Sequence, residues 1–162
     1  MIATETALDN LTLNIQTEIH VKASLETTFE VLLEELSTSL INGQSVPMAM
    51  KLEPWPGGRW YRDLGENNGH WWGNVQAIKR PTLLEISGPL FMSYPVTNNL
   101  QYRLSEEKDG TLISFHHTAM GLISEDHRKG VTGGWAQIHE RVKKHAESLH
   151  AKAAKQRTGY RG

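Results

Sequence analysis

An apolar stripe near the carboxy terminus constrains this chain more than any other feature. Trp135, Ile138, Val142, Ala146, Leu149 and Ala153 recur every three or four residues, one face of a helix about five turns long. A stripe of that length has to be buried against another layer. The helix is expected to start near Ser124, whose hydroxyl can cap it, with Glu125 and Asp126 in the first turn near the positive end of the dipole. Gly130, Gly133 and Gly134 weaken it by up to ~1 kcal/mol each relative to alanine. Three glycines within one turn suggest a bend, a close approach to another element, or a later helix start.

The segments before it supply the covering layer. Leu13 to Lys22 alternates Leu13, Ile15, Thr17, Ile19 and Val21 against polar neighbours, a half-buried strand. Ser24 then caps a helix carrying Leu25, Phe29, Leu32 and Leu36 on one face. Ser37 to Ser45 is a short polar connection with room for one helical turn. From Pro47 onward, short strands are separated by turn signals: Met48–Trp55, Arg59–Asp63, His70–Lys79, Leu83–Ser87, Leu100–Ser105 and Thr111–Met120. GENNG separates the second from the third, and Asp109-Gly110 suits a tight hairpin between the last two. Pro81, Pro89 and Pro95 fall between strands, where a missing amide donor does no harm. Strand, helix, six strands and long helix make an α+β chain in which the terminal helix covers an antiparallel sheet.

Length and composition set the remaining bounds. The 162 residues suit one domain, 1–162, with a core over about 13–150 and flexible ends at 1–12 and 156–162. Seventeen Lys and Arg against eighteen Asp and Glu leave a net charge of −1, so no global positive field favours nucleic acid. The charge is uneven. Residues 141–162 hold seven basic residues and one Glu, residues 1–140 ten basic and seventeen acidic. A solvated helix face is the plainer reading of that basic end, and a patch for an acidic partner the sharper one. Zero cysteines exclude disulfides, thiolate nucleophiles and thiolate-bound metals. No secretory signal and no stretch of roughly 20 apolar residues is present. The expectation is a soluble cytoplasmic protein with no membrane partner.

The candidate site residues follow from the strand alternation. Five tryptophans, Trp55, Trp60, Trp71, Trp72 and Trp135, divide between sheet faces, so two or three point inward. They serve either core packing or an aromatic lining for a ligand. Between Thr111 and Met120, Ile113, Phe115, His117 and Ala119 form the more apolar side and are placed on the concave face, with His116 toward solvent. His117 is the one candidate catalytic residue, as general base or hydrogen-bond anchor, against a structural histidine bonded to a neighbour. GPLFMSYPV, Gly88 to Val96, is an apolar segment between prolines that either tucks into the core or forms a lid. No metal site is expected: the eight histidines show no HExxH, and adjacent His116 and His117 point to opposite faces. There is no phosphate-binding glycine loop and no nucleophile elbow.

Motifs spread over about residues 13–150 resemble the SRPBCC superfamily, the START- or Bet v 1-like helix-grip fold, and within it the subfamily related to the activator of Hsp90 ATPase. They are Val21-Lys22-Ala23-Ser24 before Glu26 and Phe29, and Pro56-Gly57-Gly58-Arg59-Trp60. Gly73-Asn74-Val75 with Ile78 and Pro81, Asp109-Gly110-Thr111 running into Ile113, Phe115 and His117, and Gly134-Trp135 complete the set. The resemblance implies a curved seven-stranded antiparallel sheet wrapped around the terminal helix, with one or two short helices after the first strand. It also implies a cavity for a small apolar molecule and no cofactor. The expected lining is Trp60, Val75, Phe91, Tyr94, Leu100, Tyr102, Phe115, His117, Trp135 and Ile138. Contact with Hsp90 is not expected, since eukaryotic activators carry a separate amino-terminal domain for which this chain has no room. Two alternatives stand beside a binding protein. One is a cyclase-, lyase- or hydrolase-type enzyme using His117 with Asn98, Asn99 or Tyr102 as polar helpers. The other is an interaction module using the Leu90–Tyr94 loop or the basic end. A homodimer is left open.

Overall fold

The computed structural model describes residues 9–159. Strand β1 (Thr12–Val21) is followed by helix α1 (Leu25–Glu35). Strands β2 (Met50–Leu52), β3 (Arg59–Gly65), β4 (Asn68–Lys79), β5 (Leu83–Gly88), β6 (Val96–Glu107) and β7 (Gly110–Gly121) come next, and helix α2 (Glu125–Gly159) closes the order. The strands form one sheet in the order β1-β7-β6-β5-β4-β3-β2, and every neighbouring pair is antiparallel. Register irregularities at Trp60/Tyr61, Asp63/Gly65 and Val75/Ala77 add local twist to the β3–β5 side, which helps the sheet curve. This is the expected helix-grip arrangement, with one helix rather than two between the first strands.

Local chemistry explains the boundaries. Ser24 caps α1, its Oγ accepting from the Thr27 amide at 3.2 Å. Phe29, Leu32 and Leu36 are buried behind it. Strand β2 is shorter than expected because Pro54 and Pro56 break the ladder, and the Gly58 amide turns back onto the Trp55 carbonyl at 2.8 Å. Strand β6 starts earlier than expected, since β7 offers it a partner as far as Gly121 opposite Val96. Their turn is Lys108-Asp109 rather than Asp109-Gly110, because Glu107 pairs with Gly110. Helix α2 begins where Ser124 predicts, with the His127 amide donating to its Oγ at 3.3 Å, and runs unbroken for 35 residues through its glycines. The expected flexible ends fall partly on residues 1–8 and 160–162, outside the described residues; Thr12 already belongs to β1, and 156–159 to α2.

Core residues from the concave sheet face (Leu84, Ile86, Leu100, Ile113), from α1 and from α2 (Trp135, Val142, Ala146) form one cluster. The outer edge of β1 is capped by α2: Arg128 donates to the Thr12 and Asn10 carbonyls at 2.8 Å each, and Lys143 to the His20 carbonyl at 2.7 Å. Side chains thus occupy carbonyls that would otherwise invite a further strand. Gly73 and Gly88 meet back to back; a Cβ on Gly88 would lie 2.4 Å from the Gly73 Cα. That closeness lets the Leu90 amide reach the Trp72 carbonyl at 2.8 Å, which seats the Pro89–Pro95 segment against β4.

Candidate functional site

The concave face holds a saturated network of polar and aromatic groups. Strand β7 alternates as expected: Ile113, Phe115, His117 and Ala119 are buried, whereas His116 takes solvent-side partners Asn14 and Gln16. The Trp135 indole donates to His117 Nδ1 at 3.0 Å, so that nitrogen is the acceptor, and Nε2–H donates to Asn98 Oδ1 at 2.7 Å. Asn98 Nδ2 in turn donates to the Gly88 and Pro89 carbonyls at 3.2 Å each. One turn further along α2, the Tyr102 hydroxyl meets His139 Nε2 at 3.2 Å, and Phe115 packs against His139, Trp135 and Tyr102. Burial lowers His117 to about 4, helped by the nearby His116, and burial also lowers His139 to about 4. Burial pushes the Tyr102 hydroxyl well above its ordinary value. At neutral pH both rings are uncharged and hydrogen-bonded. The basic nitrogen of His117 already holds the Trp135 proton, a structural arrangement rather than that of a free base.

A cleft of about 760 Å³ opens beside this network, within the size range of small-molecule sites. One wall is the first half of α2, from Asp126 to Arg141. The opposite wall is the segment Leu40–Met48, and Trp72 and Phe91 close one end. Within the α2 wall, Gly130, Gly134 and Ile138 form a row spaced by four residues, which places them on one face. A Cβ built on Gly130 or Gly134 would meet no atom within 4 Å. Neither glycine admits a neighbouring element, and the helix continues through both. Both remove volume from the wall.

Three interactions shape the cleft. The buried Glu35 carboxylate of α1 accepts from Arg141 Nε and meets His145 Nδ1, both at 2.9 Å, while Arg141 Nη2 donates to the Ser39 carbonyl at 2.9 Å. This ties α1, α2 and the start of the 40–48 wall together. Trp72, buried beside Trp60, has its ring centroid 5.8 Å from that of Phe91. The Tyr94 hydroxyl bonds His127 Nδ1 at 2.7 Å and accepts from the Ser124 amide at 3.3 Å.

The structure redistributes the expected lining. Phe91, Trp135 and Ile138 are on the cleft wall, and Tyr94 stands behind it through His127. Trp60, Val75, Leu100, Tyr102, Phe115 and His117 are not on that wall. They are buried in the core, where Trp60 donates its indole N–H to the carbonyl of Leu36, just past the end of α1, at 2.6 Å. The physical reason is volume: their large side chains fill the concave side of the sheet, and the cleft opens instead between the first half of α2 and the Leu40–Met48 segment. Trp55 and Trp71 are about half exposed on the outside. Leu90 and Met92 are fully buried, so the Gly88–Val96 segment tucks in, offering Phe91 to the cleft. Periodicity missed Leu40, Met48, His127, Gly130 and Gly134. The four-residue glycine spacing was the available signal; for His127 there was none. Among the described residues, no three His, Asp or Glu side chains are grouped as a metal site, and no helix is long and apolar enough to cross a membrane.

Comparison with known proteins agrees with this architecture. A search of curated proteins finds no sequence match. A solved protein from Mesorhizobium loti superposes with a TM-score of 0.60 at 16% identity, over 82% of this chain and 96% of that one. A Chromobacterium violaceum protein gives 0.65 at 14% identity, over 83% and 96%. The di-domain ARO/CYC StfQ from the steffimycin biosynthetic pathway gives 0.64 at 10% identity, over 90% of this chain and 54% of that one. At such identities these likenesses concern the fold. The family model described as activator of Hsp90 ATPase homolog 1-like protein matches residues 22–147, from the end of β1 into α2, and the chain belongs to that family.

Proposed function

We propose that the protein binds a small, largely apolar molecule in the cleft between α2, the Leu40–Met48 segment and the Trp72–Phe91 end. The observation that carries this reading is the open space over Gly130 and Gly134. Glycine inside a helix costs up to ~1 kcal/mol per site relative to alanine, and the usual return is close approach of a neighbour. Here no part of the chain approaches, and unlike Gly133, which is equally open, Gly130 and Gly134 both face the cleft, so the space suits a guest. The aromatic groups Trp72, Phe91 and Trp135, with Met48 opposite, offer that guest an adaptable apolar surface. The likeness of fold to the ARO/CYC protein of a biosynthetic pathway is in keeping with a small-molecule guest and supplies no reaction. A base-catalysed reaction at His117 draws no support from the geometry, because both ring nitrogens are engaged. We place the protein in the cytoplasm, with neither nucleic acid nor membrane as partner; its single concentrated basic stretch is partly used internally by Arg141 and Lys143.

The test uses the neutral apolar dye Nile red and mass spectrometry of molecules retained through purification. Wild-type protein is expected to bind the dye. Gly134→Leu, which fills the cleft, is expected to weaken binding at least about tenfold, a loss of about 1.4 kcal/mol. Gly130→Ala is expected to raise stability by about 0.5–1 kcal/mol in denaturant unfolding. Dye affinity unchanged in Gly134→Leu would remove the cleft as the site.

A further inference from the structure

We infer that His127 reads the guest, donating a hydrogen bond from Nε2 to a neutral oxygen acceptor such as a ketone or ester carbonyl. The inference rests on the cleft being a binding site and adds the polar half of its recognition. His127 is on the cleft wall in the first turn of α2. Its ring is held from three sides. Tyr94 stacks on it with centroids 5.5 Å apart, Phe91 meets it edge-on at 5.0 Å, and the Tyr94 hydroxyl bonds Nδ1 at 2.7 Å.

The proton bookkeeping follows from the partners. The Ser124 amide donates to the Tyr94 oxygen, and we take the phenol's own hydrogen as the one shared with His127 Nδ1 across 2.7 Å, the direction that uses both the donor and an acceptor site of the hydroxyl. With that direction the neutral ring carries its proton on Nε2. That atom has no hydrogen-bond partner among the described residues, unlike both nitrogens of His117. A fixed donor on an otherwise largely apolar wall discriminates for an acceptor, and leaving it unmatched inside a filled cleft carries a desolvation cost.

Charge narrows the acceptor to a neutral one. Three ionised side chains belong to the cleft wall: Asp126, Glu140 and Arg141. The Arg141 guanidinium is matched by Glu35 and Glu140 is matched by Lys144. Asp126, next to His127 in the chain, has no ion pair among the described residues. A carboxylate guest would meet a like charge at the end where its oxygen has to bind. A carbonyl would not.

Three probes of one shape test this by calorimetry: ethylnaphthalene, acetylnaphthalene and naphthoate. The ketone is expected to bind about fivefold more tightly than the hydrocarbon, the yield of one net hydrogen bond, and naphthoate most weakly. His127→Phe is expected to bring the ketone-to-hydrocarbon affinity ratio down to about one, read as a ratio so that any common change in affinity cancels. Tyr94→Phe keeps the imidazole but frees Nδ1. It is expected to reduce the preference and to change the nitrogen NMR signature of His127 from Nε2–H to a mixture of tautomers. A preference that survives His127→Phe, a wild-type His127 protonated on Nδ1 alone, or naphthoate as the tightest guest would each overturn the assignment. If ethylnaphthalene binds and the ketone gains nothing, this inference falls and the cleft stands. If none of the three binds wild-type protein, both fall together.

Discussion

Thr28 is the one buried side chain among the described residues whose polar atom, Oγ1, has no hydrogen-bond partner. A hydroxyl stripped of water without compensation is a standing cost. Thr28→Val keeps the shape and removes the oxygen, so it is expected to stabilise the fold by about 1 kcal/mol, read as a rise in the urea midpoint; a fall would contradict the unpaired assignment. At the same scale, histidines show how far sequence carries a site. The inward placement of His117 is legible because period two along β7 sorts Ile113, Phe115 and Ala119 to the same face. That both its nitrogens are spoken for is not legible, since Trp135 and Asn98 reach it from a distant helix and a neighbouring strand. His127 leaves no trace in the sequence at all: what distinguishes it is a phenol 33 positions away.

Between elements, the Glu35–Arg141–His145 junction does the most to place α1 against α2. Its carboxylate is almost wholly buried, with a side chain only 5% exposed. Removing one partner of a buried ion costs more than removing both. Arg141→Met is therefore expected to destabilise by about 2–4 kcal/mol, and adding Glu35→Met is expected to recover most of that loss. A double variant no better than the single one would show that the charges are not coupled. The element order and the extent of α2 can be read from caps and periodicity, because Ser124 and the stripe from Trp135 onward are local signals. The cleft cannot be read that way. Glycine adds nothing to a hydrophobic period, so Gly130 and Gly134 register as weak points in a helix, and only the missing neighbours turn them into a wall.

For the molecule as a whole, His117 and His139 set a pH dependence. Each is held at about 4 by burial, against roughly 6.5 in an unfolded chain. Above pH ~6.5 neither state binds these protons and the two groups are neutral in the balance. As pH falls from there toward 4 the unfolded chain takes up protons that the native one refuses, so stability declines by about 1.4 kcal/mol per pH unit for each histidine. Integrated over that window for both rings the loss is about 6 kcal/mol, comparable with the net stability of a small domain. Urea midpoints measured from pH 7 to 4.5 are expected to fall steadily, with His139→Phe halving the slope; a flat profile would mean that both rings take up protons in the native state as readily as in the unfolded chain. The sheet also has an order of assembly written into it. Strand β1 pairs with β7, Thr12 opposite Met120 and Val21 opposite Thr111, so the first strand of this sheet in chain order has to wait during synthesis for the last one, and about ninety residues are made while that half-apolar ribbon stands unmatched.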